Sequence, residues 1–389
     1  MSNIMNILQG CVRYPPAPGG AETVVKAYSE GLAGKGHNVE VITTDLYTET
    51  PFVKKEMPSE VSGIPVSRHS AFTISGEAHY VLAPGMIKSF LSKKADIIHT
   101  HSYGYFQNHA GWIREKLQST PWVITPHFHP SWSMWGGAKR RTLRDFYDSK
   151  IGKATMEAAD LITCVSNHEK DVLVKEIGLN DDNIKIIYNG IYWDDWKEVP
   201  SKKVFRDKFP QISDKFVIFA GRLATNKGLT NLIEAMSIGG SDEFDLVIMG
   251  ADMGLGKDLD ALALSQNVKM HRLGHVDDNV YRSALAAAEV LVLPSEYEAF
   301  GIVLLEAAAA NTPVIGTRVG GIPEAMSENK NGLIVEYDNS SELSKAIFSI
   351  LEDSKMSKQM GDFGREFSSN FSWENIIDLL EKEYDSLLA

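Results

Sequence analysis

Short β-branched runs alternate with segments of helical periodicity along the whole chain. That alternation admits one broad class of fold, parallel α/β, in which each helix carries the chain back across a sheet. In the first half the strand candidates are Ile4–Leu8, Val39–Thr43, Ile97–His99, Val123–Thr125, Leu161–Val165 and Ile184–Ile187. Helical segments are expected at Glu22–Ala33, ending at Gly34 and Gly36, and through Lys139–Ala159. The pattern loosens after Asn189-Gly190 into a linker, Trp193 to Pro200, and then restarts. The second half predicts strands at Phe216–Ala220, Leu246–Met249, Val268–Arg272, Val290–Leu293, Val314–Thr317 and Leu333–Val335. Helices are predicted at Gly228–Met236, Lys257–Ser265, Asp278–Ala288, Phe300–Ala310 and Ser341–Leu351.

A chain of 389 residues has mass for two domains with sizeable cores. The expectation is an α/β protein of two Rossmann-like domains facing across a cleft. Residues 1–192 form the first and 193–372 the second, and a terminal helix at 373–389 packs back on the first. A formal net charge of −12 argues against a nucleic-acid partner. Cys11 and Cys164 stand far apart in apolar surroundings, which suits a reducing compartment rather than a disulfide framework. The start lacks the charged and apolar regions of a signal peptide, and no apolar run is long enough to span a bilayer. The expected location is the cytoplasm, with the inner face of the membrane as a peripheral alternative. No short-period repeat is present, and oligomeric state is not readable.

Chemistry concentrates where Val290–Leu293 runs out into Pro294-Ser295-Glu296-Tyr297-Glu298-Ala299-Phe300-Gly301 and a helix follows. A helix start at the carboxyl end of a parallel strand presents free amides where phosphates bind. Glu298 lies in the turn, and Glu306 lies within the helix facing the same neighbourhood. The two acids suit hydroxyls on either side of a bound diphosphate. Gly221-Arg222-Leu223-Ala224-Thr225-Asn226-Lys227-Gly228 follows the first strand of the same half. Arg222 offers a planar fork to phosphate oxygens and Lys227 a mobile point charge. Taken alone, that loop is equally well a solvated turn with two surface cations.

Together these pieces resemble retaining GT-B glycosyltransferases of family four. The resemblance rests on Gly221-Arg222 with Lys227-Gly228, on Ser295 and Glu298-Ala299-Phe300-Gly301 with Glu306-Ala307, and on Pro313-Val314-Ile315. Gly320-Gly321-Ile322-Pro323-Glu324 and Asn331-Gly332-Leu333 extend it over nearly the whole chain. Glu298 and Glu306 match the E-x7-E spacing of the family. The resemblance implies a nucleoside-diphosphate-sugar donor, with Arg222 and Lys227 on the diphosphate, Glu298 on donor-sugar hydroxyls and Glu306 on the ribose. It places the backbone of Ala299, Phe300 and Gly301 against the donor. Cations and a helix start neutralise a departing diphosphate, so no metal is expected. Asp258-Leu259-Asp260 has the spacing of a metal-binding pair, but it sits at a helix start where acids are favourable in any case. Asn311 replaces the family's Gly after the Glu306 helix and serves as the next-best left-handed stop.

The first half is expected to supply the acceptor side. Pro18-Gly19-Gly20-Ala21-Glu22 opens a helix after a strand, where two glycines let backbone approach a ligand and the helix start suits an anion. The resemblance carries this loop towards donor phosphates or acceptor. His127, in Thr125-Pro126-His127-Phe128-His129-Pro130, matches the family's cleft histidine, whose imidazole bonds a sugar hydroxyl or aids charge development. His99, His101 and His129 remain open between cleft and packing roles, and a metal among them lacks carboxylate or Cys ligands at suitable spacing. Ser131-Trp132-Ser133-Met134-Trp135 and Lys139-Arg140-Arg141 read first as the lead into an amphipathic core helix. A saccharide or lipid-linked acceptor received at an anionic membrane surface is the alternative.

The expected activity is transfer of a sugar to an acceptor hydroxyl with retention, by front-face departure and attack. His127, Glu298, Arg222 and Lys227 carry the chemistry, and domain closure about Asn189–Pro200 excludes water. The rivals are an epimerase or phosphorylase on a related double fold, and a non-catalytic nucleotide-sugar-binding protein. A nicotinamide dehydrogenase is disfavoured because Gly254-Leu255-Gly256 lacks a third glycine.

Overall fold

The computed structural model describes residues 3–49, 51–73, 80–130, 138–240 and 244–389. The chain divides into two units, Met1–Asn189 with Trp373–Ala389, and Gly190–Ser372. Each is a parallel sheet flanked by helices, as βαβ succession requires.

In the first unit the strands lie in the order Ile184–Ile186, Leu161–Cys164, Trp122–Thr125, Ile97–His101, Asn6–Gly10, Asn38–Thr44, Ile64–His69, with short Glu60–Val61 antiparallel at the edge. The central strand falls two residues later than predicted. Ile4 is 68 % exposed, and pairing with Asn38–Thr44 and Ile97–His101 covers Asn6–Gly10 on both sides. Strand Ile64–His69 went unpredicted because Pro65 and the polar Ser67-Arg68-His69 break the apolar run. Pro65 is accommodated on the side facing Glu60, next to the sheet edge. The long helix predicted at Lys139–Ala159 is present but interrupted. Ala138–Tyr147 passes through a π turn, Asp148–Gly152, into Lys153–Glu157. The wider turn carries buried Asp148, whose Oδ1 accepts from Arg144 Nε at 2.6 Å and Tyr103 Oη at 2.9 Å.

The terminal helix Trp373–Leu388 belongs to this first unit and packs on helix Gly20–Gly34. Gly31 admits Ile377, since a Cβ there would stand 2.6 Å from Ile377 Cγ1. Lys35 Nζ holds Glu381 at 2.7 Å, and Tyr384 Oη reaches His99 Nδ1 at 2.6 Å.

The second unit orders its strands Met270–Gly274, Asp245–Met249, Phe216–Ala220, Val290–Leu293, Val314–Thr317, Gly332–Val335. Chain order therefore reverses between Phe216–Ala220 and Val290–Leu293, a topological switch point of the Rossmann kind. In the first unit the same reversal falls between Asn6–Gly10 and Ile97–His101. Helix Ser354–Ser369 was not predicted; it carries Gly361 and Gly364, residues that weaken a helix interior. Both are packing gaps: a Cβ on Gly361 would lie 2.4 Å from Asn311 O, and one on Gly364 would touch Ala308 Cβ at 3.2 Å. Asn311 takes the left-handed conformation expected of it, with φ +67°. Among the described residues, no helix is long and apolar enough to cross a membrane.

Gly31→Val should wedge the two packed helices of the first unit apart and cost about 1–3 kcal/mol. Urea unfolding checks this, and Ile377→Ala in the same chain should recover part of the loss; an unchanged midpoint for Gly31→Val would refute the packing assignment.

Candidate active site

At the switch point of the second unit, three loops meet at the carboxyl edge of the sheet. The first leaves Phe216–Ala220, turns through a 3-10 segment at Thr225–Lys227, and enters helix Leu229–Gly239 at Gly228 with φ +65°. A Cβ on Gly228 would lie 1.9 Å from the carbonyl oxygen of Pro294, so only glycine allows this approach. Glu296 N donates to Asn226 O at 2.9 Å, tying the second loop to the first. On the other side, Gly321 N donates to Glu298 O at 2.9 Å, and Thr317 Oγ1 donates to Ser295 O at 2.6 Å. The second loop is thus clamped at backbone level from both neighbours.

That clamp brings Lys227 and Glu298 together. Lys227 Nζ forms a short ion pair with Glu298 Oε2, which also accepts from Ser295 Oγ at 3.3 Å. Both side chains keep some exposure, 13 % for Lys227 and 22 % for Glu298. Arg222 is exposed, and among the described residues its guanidinium has no ion-pair partner. The helix expected from Phe300 begins two residues later. It runs Ile302–Ala309, because Gly301 adopts φ +97° and serves as its N-cap. Phe300 is therefore not a side chain of the site: its ring is buried, 6.0 Å from that of Phe371, and only its backbone faces the loop. Ala299 is held against Gly321, where a Cβ would stand 2.2 Å from Ala299 O.

Glu306, one turn into the helix, accepts a hydrogen bond from Tyr281 Oη at 2.5 Å. Burial pushes its carboxyl up to about 7 against the opposing hydrogen bond from Tyr281. Beyond the ends of Asp245–Met249 and Met270–Gly274 lies a recess of about 350 Å³ lined by Leu223, Gly250, Asp252, Arg272 and His275. Asp260 is gripped by Arg272 through Nε at 2.7 Å and Nη2 at 2.5 Å. Asp258 lies two positions away in helix Gly256–Ser265, where side chains diverge around the axis.

The first unit presents a different chemistry. His99 and His101 stack with ring centroids 4.2 Å apart and planes at 25°, and His127 continues the stack 5.9 Å from His101 at 21°. His101 Nε2 meets Gln9 Oε1 at 2.8 Å, and His99 bridges Tyr384 Oη and Thr125 Oγ1 at 2.6 and 2.7 Å. Burial, aided by the neighbouring charge of His129, holds His127 down to about 4, so its ring is neutral at physiological pH. His127 Nε2 is buried without a partner among the described residues, and its backbone has φ +43°. The residue after it is anchored: Phe128 N donates to Glu169 Oε1 at 2.5 Å, while Val165 N donates to Oε2 at 2.6 Å. Glu169 is wholly buried, and burial raises its carboxyl to about 7 against those two amides.

Gly20 opens helix Gly20–Gly34 as expected, but the anion at that helix start is the chain's own. Glu22 lies in the first turn, pairs with Arg13 Nη2 at 2.7 Å, and sets Oε2 where a Cβ on Gly19 would be. Trp132 and Trp135 lie outside the described residues, and for Lys139, Arg140 and Arg141 only the helical backbone is described. Sequence reasoning missed Tyr281, Thr317 and Glu169. Only Glu169 left a local signal, the capping-box spacing Ser166-x-x-Glu169, and Ser166 Oγ does accept from Glu169 N at 3.0 Å.

Two parallel-sheet units in one chain, each with a Rossmann switch point, are the architecture of the GT-B class. Comparison with known proteins gives the family. Residues 201–367 match the family model described as glycosyl transferases group 1, and residues 18–193 match glycosyltransferase family 4. The chain belongs to the group 1, family 4 glycosyltransferases. It is 27 % identical to an uncharacterized glycosyltransferase of Methanocaldococcus jannaschii over 99 % of both chains. In structure it is similar to sucrose-phosphate synthase from Thermosynechococcus elongatus, with TM-score 0.80 and 22 % identity over 98 % of this chain and 99 % of that one. It is also similar to Anabaena HepE, solved in complex with UDP and glucose, with TM-score 0.79 and 20 % identity over 98 % and 100 %.

The Glu169 carboxyl sits higher in the fold than the 4.5 of an unperturbed Glu, so its stabilising share is complete below pH 4.5 and is lost as pH rises through about 7. Glu169→Gln removes that titration. Whatever its constant offset, the variant should gain stability relative to the parent between pH 5 and pH 8, read as denaturation midpoints. A gap that stays constant with pH would contradict a raised carboxyl.

Proposed function

We propose that this glycosyltransferase uses a nucleoside-diphosphate sugar and transfers the sugar with retention, without a metal. The observation that carries the reading is the Lys227–Glu298 pair clamped beside exposed Arg222 at the switch point. Lys227 and Arg222 receive the diphosphate, together with the first amides of helix Ile302–Ala309. Glu298, released from Lys227 as phosphate arrives, accepts from donor-sugar hydroxyls. Glu306 accepts from the ribose, and the base takes the recess beside Leu223 and Arg272. The UDP and glucose in the HepE complex favour this class of donor.

In the proposed step the bond between the anomeric carbon and the diphosphate oxygen breaks as the acceptor oxygen bonds to the same face. The acceptor proton passes to the leaving phosphate oxygen, so no carboxylate nucleophile is needed. Neutral His127 donates or accepts a hydrogen bond at a sugar hydroxyl and does not act as an acid. Gly19-Gly20 is assigned backbone approach to a ligand rather than a phosphate cradle, since a second anion there would face Glu22.

Thermal unfolding against uridine, guanosine, adenosine and thymidine diphosphates and their sugars, with and without chelator, tests this. One base should raise the melting temperature selectively and chelator should leave the shift unchanged; no shift with any of them sinks the donor reading. Lys227→Ala should weaken diphosphate binding about ten- to a hundredfold, the loss of a hydrogen bond to a charged group. Glu298→Ala should bind the free diphosphate yet transfer no sugar, and full transfer by that variant would remove its assigned role.

A further inference from the structure

Glu306 is held by a neutral donor alone, whereas Glu298 is paired with the Lys227 cation. Tyr281, on helix Asp278–Ala287, places its hydroxyl 2.5 Å from Glu306 Oε2, while Oε1 has no hydrogen-bond partner among the described residues. A carboxylate has about four lone-pair sites, two on each oxygen. With Oε2 committed to a phenol, Oε1 is the oxygen left to accept, and its two lone pairs match two adjacent hydroxyls.

We propose that Tyr281 is a positioning residue for Glu306, fixing one carboxylate oxygen so that the other accepts both vicinal hydroxyls of a ribose. Tyr281 thereby sets the preference for ribonucleoside diphosphates over their 2′,3′-dideoxy counterparts. This rests on the donor-site reading given above, and adds to it a residue that decides how strongly the sugar of the nucleotide is recognised.

The electrostatics give the same arrangement a second consequence. The titratable groups facing the Glu306 carboxyl are Tyr281 and Asp278. Burial raises the carboxyl to about 7, Asp278 pushes it further the same way, and only the Tyr281 hydrogen bond opposes them. Removing that hydroxyl leaves a carboxyl that holds its proton more tightly. A protonated Glu306 offers fewer lone pairs to ribose, so recognition lost at neutral pH returns in part when alkali restores the carboxylate.

The test is isothermal titration of the full chain with uridine diphosphate and 2′,3′-dideoxyuridine diphosphate from pH 6 to pH 9, with the guanosine and adenosine pairs in parallel. Taking the ratio within each pair cancels titration of the phosphates themselves. The parent should prefer the ribonucleotide about tenfold or more, as loss of hydrogen bonds to a charged group implies, and that preference should grow as pH rises through about 7. Tyr281→Phe, which keeps the ring and its packing, should lose most of the preference at pH 7 and regain only part of it by pH 9, because alkali restores the carboxylate but not the hydrogen bond that orients it. Its affinity for the dideoxy compound should not change. Glu306→Gln cannot titrate, so its weakened preference should be flat with pH and insensitive to adding Tyr281→Phe. A Tyr281→Phe protein with the parent's preference and pH profile overturns the proposal. So does an equal loss of affinity for both members of a pair, which would mark Tyr281 as structural only. If the parent binds none of the three ribonucleoside diphosphates, this inference falls, and if it does not bind thymidine diphosphate either, the donor-site reading falls with it.

Discussion

Everything at the switch point of the second unit depends on backbone meeting backbone without side chains between. Gly228 lies on the carbonyl of Pro294, and Gly320 and Gly321 lie on those of Glu298 and Ala299. Three loops from adjacent strands can close to that distance only where glycine removes the Cβ, and two of the three positions also require positive φ. The outcome is electrostatic. A loop carrying Glu298 is pressed against one carrying Lys227, and the two charges find each other before any ligand arrives. A partly exposed pair of this kind is screened and worth little to the fold. Under the proposed donor reading its value lies in readiness: an incoming diphosphate would outcompete one carboxylate for the ammonium and release that carboxylate towards the sugar.

The first unit solves a different problem with neutral groups. Three imidazoles in a stack would repel one another if protonated, and burial keeps them uncharged. The end ring, His127, is carried on backbone at φ +43°, a conformation that a β-substituted residue adopts only when its surroundings hold it there. The Phe128 amide bound to Glu169 is such a hold. A neutral ring can give or take one hydrogen bond across physiological pH, which suits the contact with a sugar hydroxyl proposed for His127.

Much of this was legible in the sequence, and the boundary of what was not has a physical shape. Val290–Leu293, Phe216–Ala220 and Val314–Thr317 were read to the residue because strands buried on both faces are uninterrupted apolar runs. Ile64–His69 was missed because its polar end and Pro65 are tolerated only through neighbours that the local pattern does not reveal. Gly361 and Gly364 look like breakers until Asn311 and Ala308 are seen to fill the space above them. Among the candidate site residues, the meeting of Arg222, Lys227, Glu298 and Glu306 at one sheet edge was readable from the strand–loop–helix pattern, while the roles expected of them came from the family resemblance. Tyr281 and Glu169 were not readable. Each engages a group 25 or 41 residues away through a hydrogen bond; nothing local marks such a Tyr, and the capping-box spacing that marks Glu169 points to its helix start and not to the distant amide it binds.

Those two unreadable contacts share a principle with consequences for stability. Glu169 and Glu306 are both carboxyls that burial drives up to about 7. In the fold each is harder to ionise than in the unfolded chain, so holding either as a carboxylate near neutral pH works against folding. A protein selected for stability alone would replace them with apolar residues of similar volume, as buried charges usually can be. Their retention makes sense if the charge is wanted where it is: on Glu169 to take two backbone amides that fix the His127 turn, on Glu306 to leave an oxygen for a ligand. The same reasoning explains why each carboxylate is met by donors the chain itself supplies. Two amides at Glu169 and one phenol at Glu306 bring the carboxyl back towards ionisation, and so keep the cost of a functional charge within what the surrounding α/β core can offset.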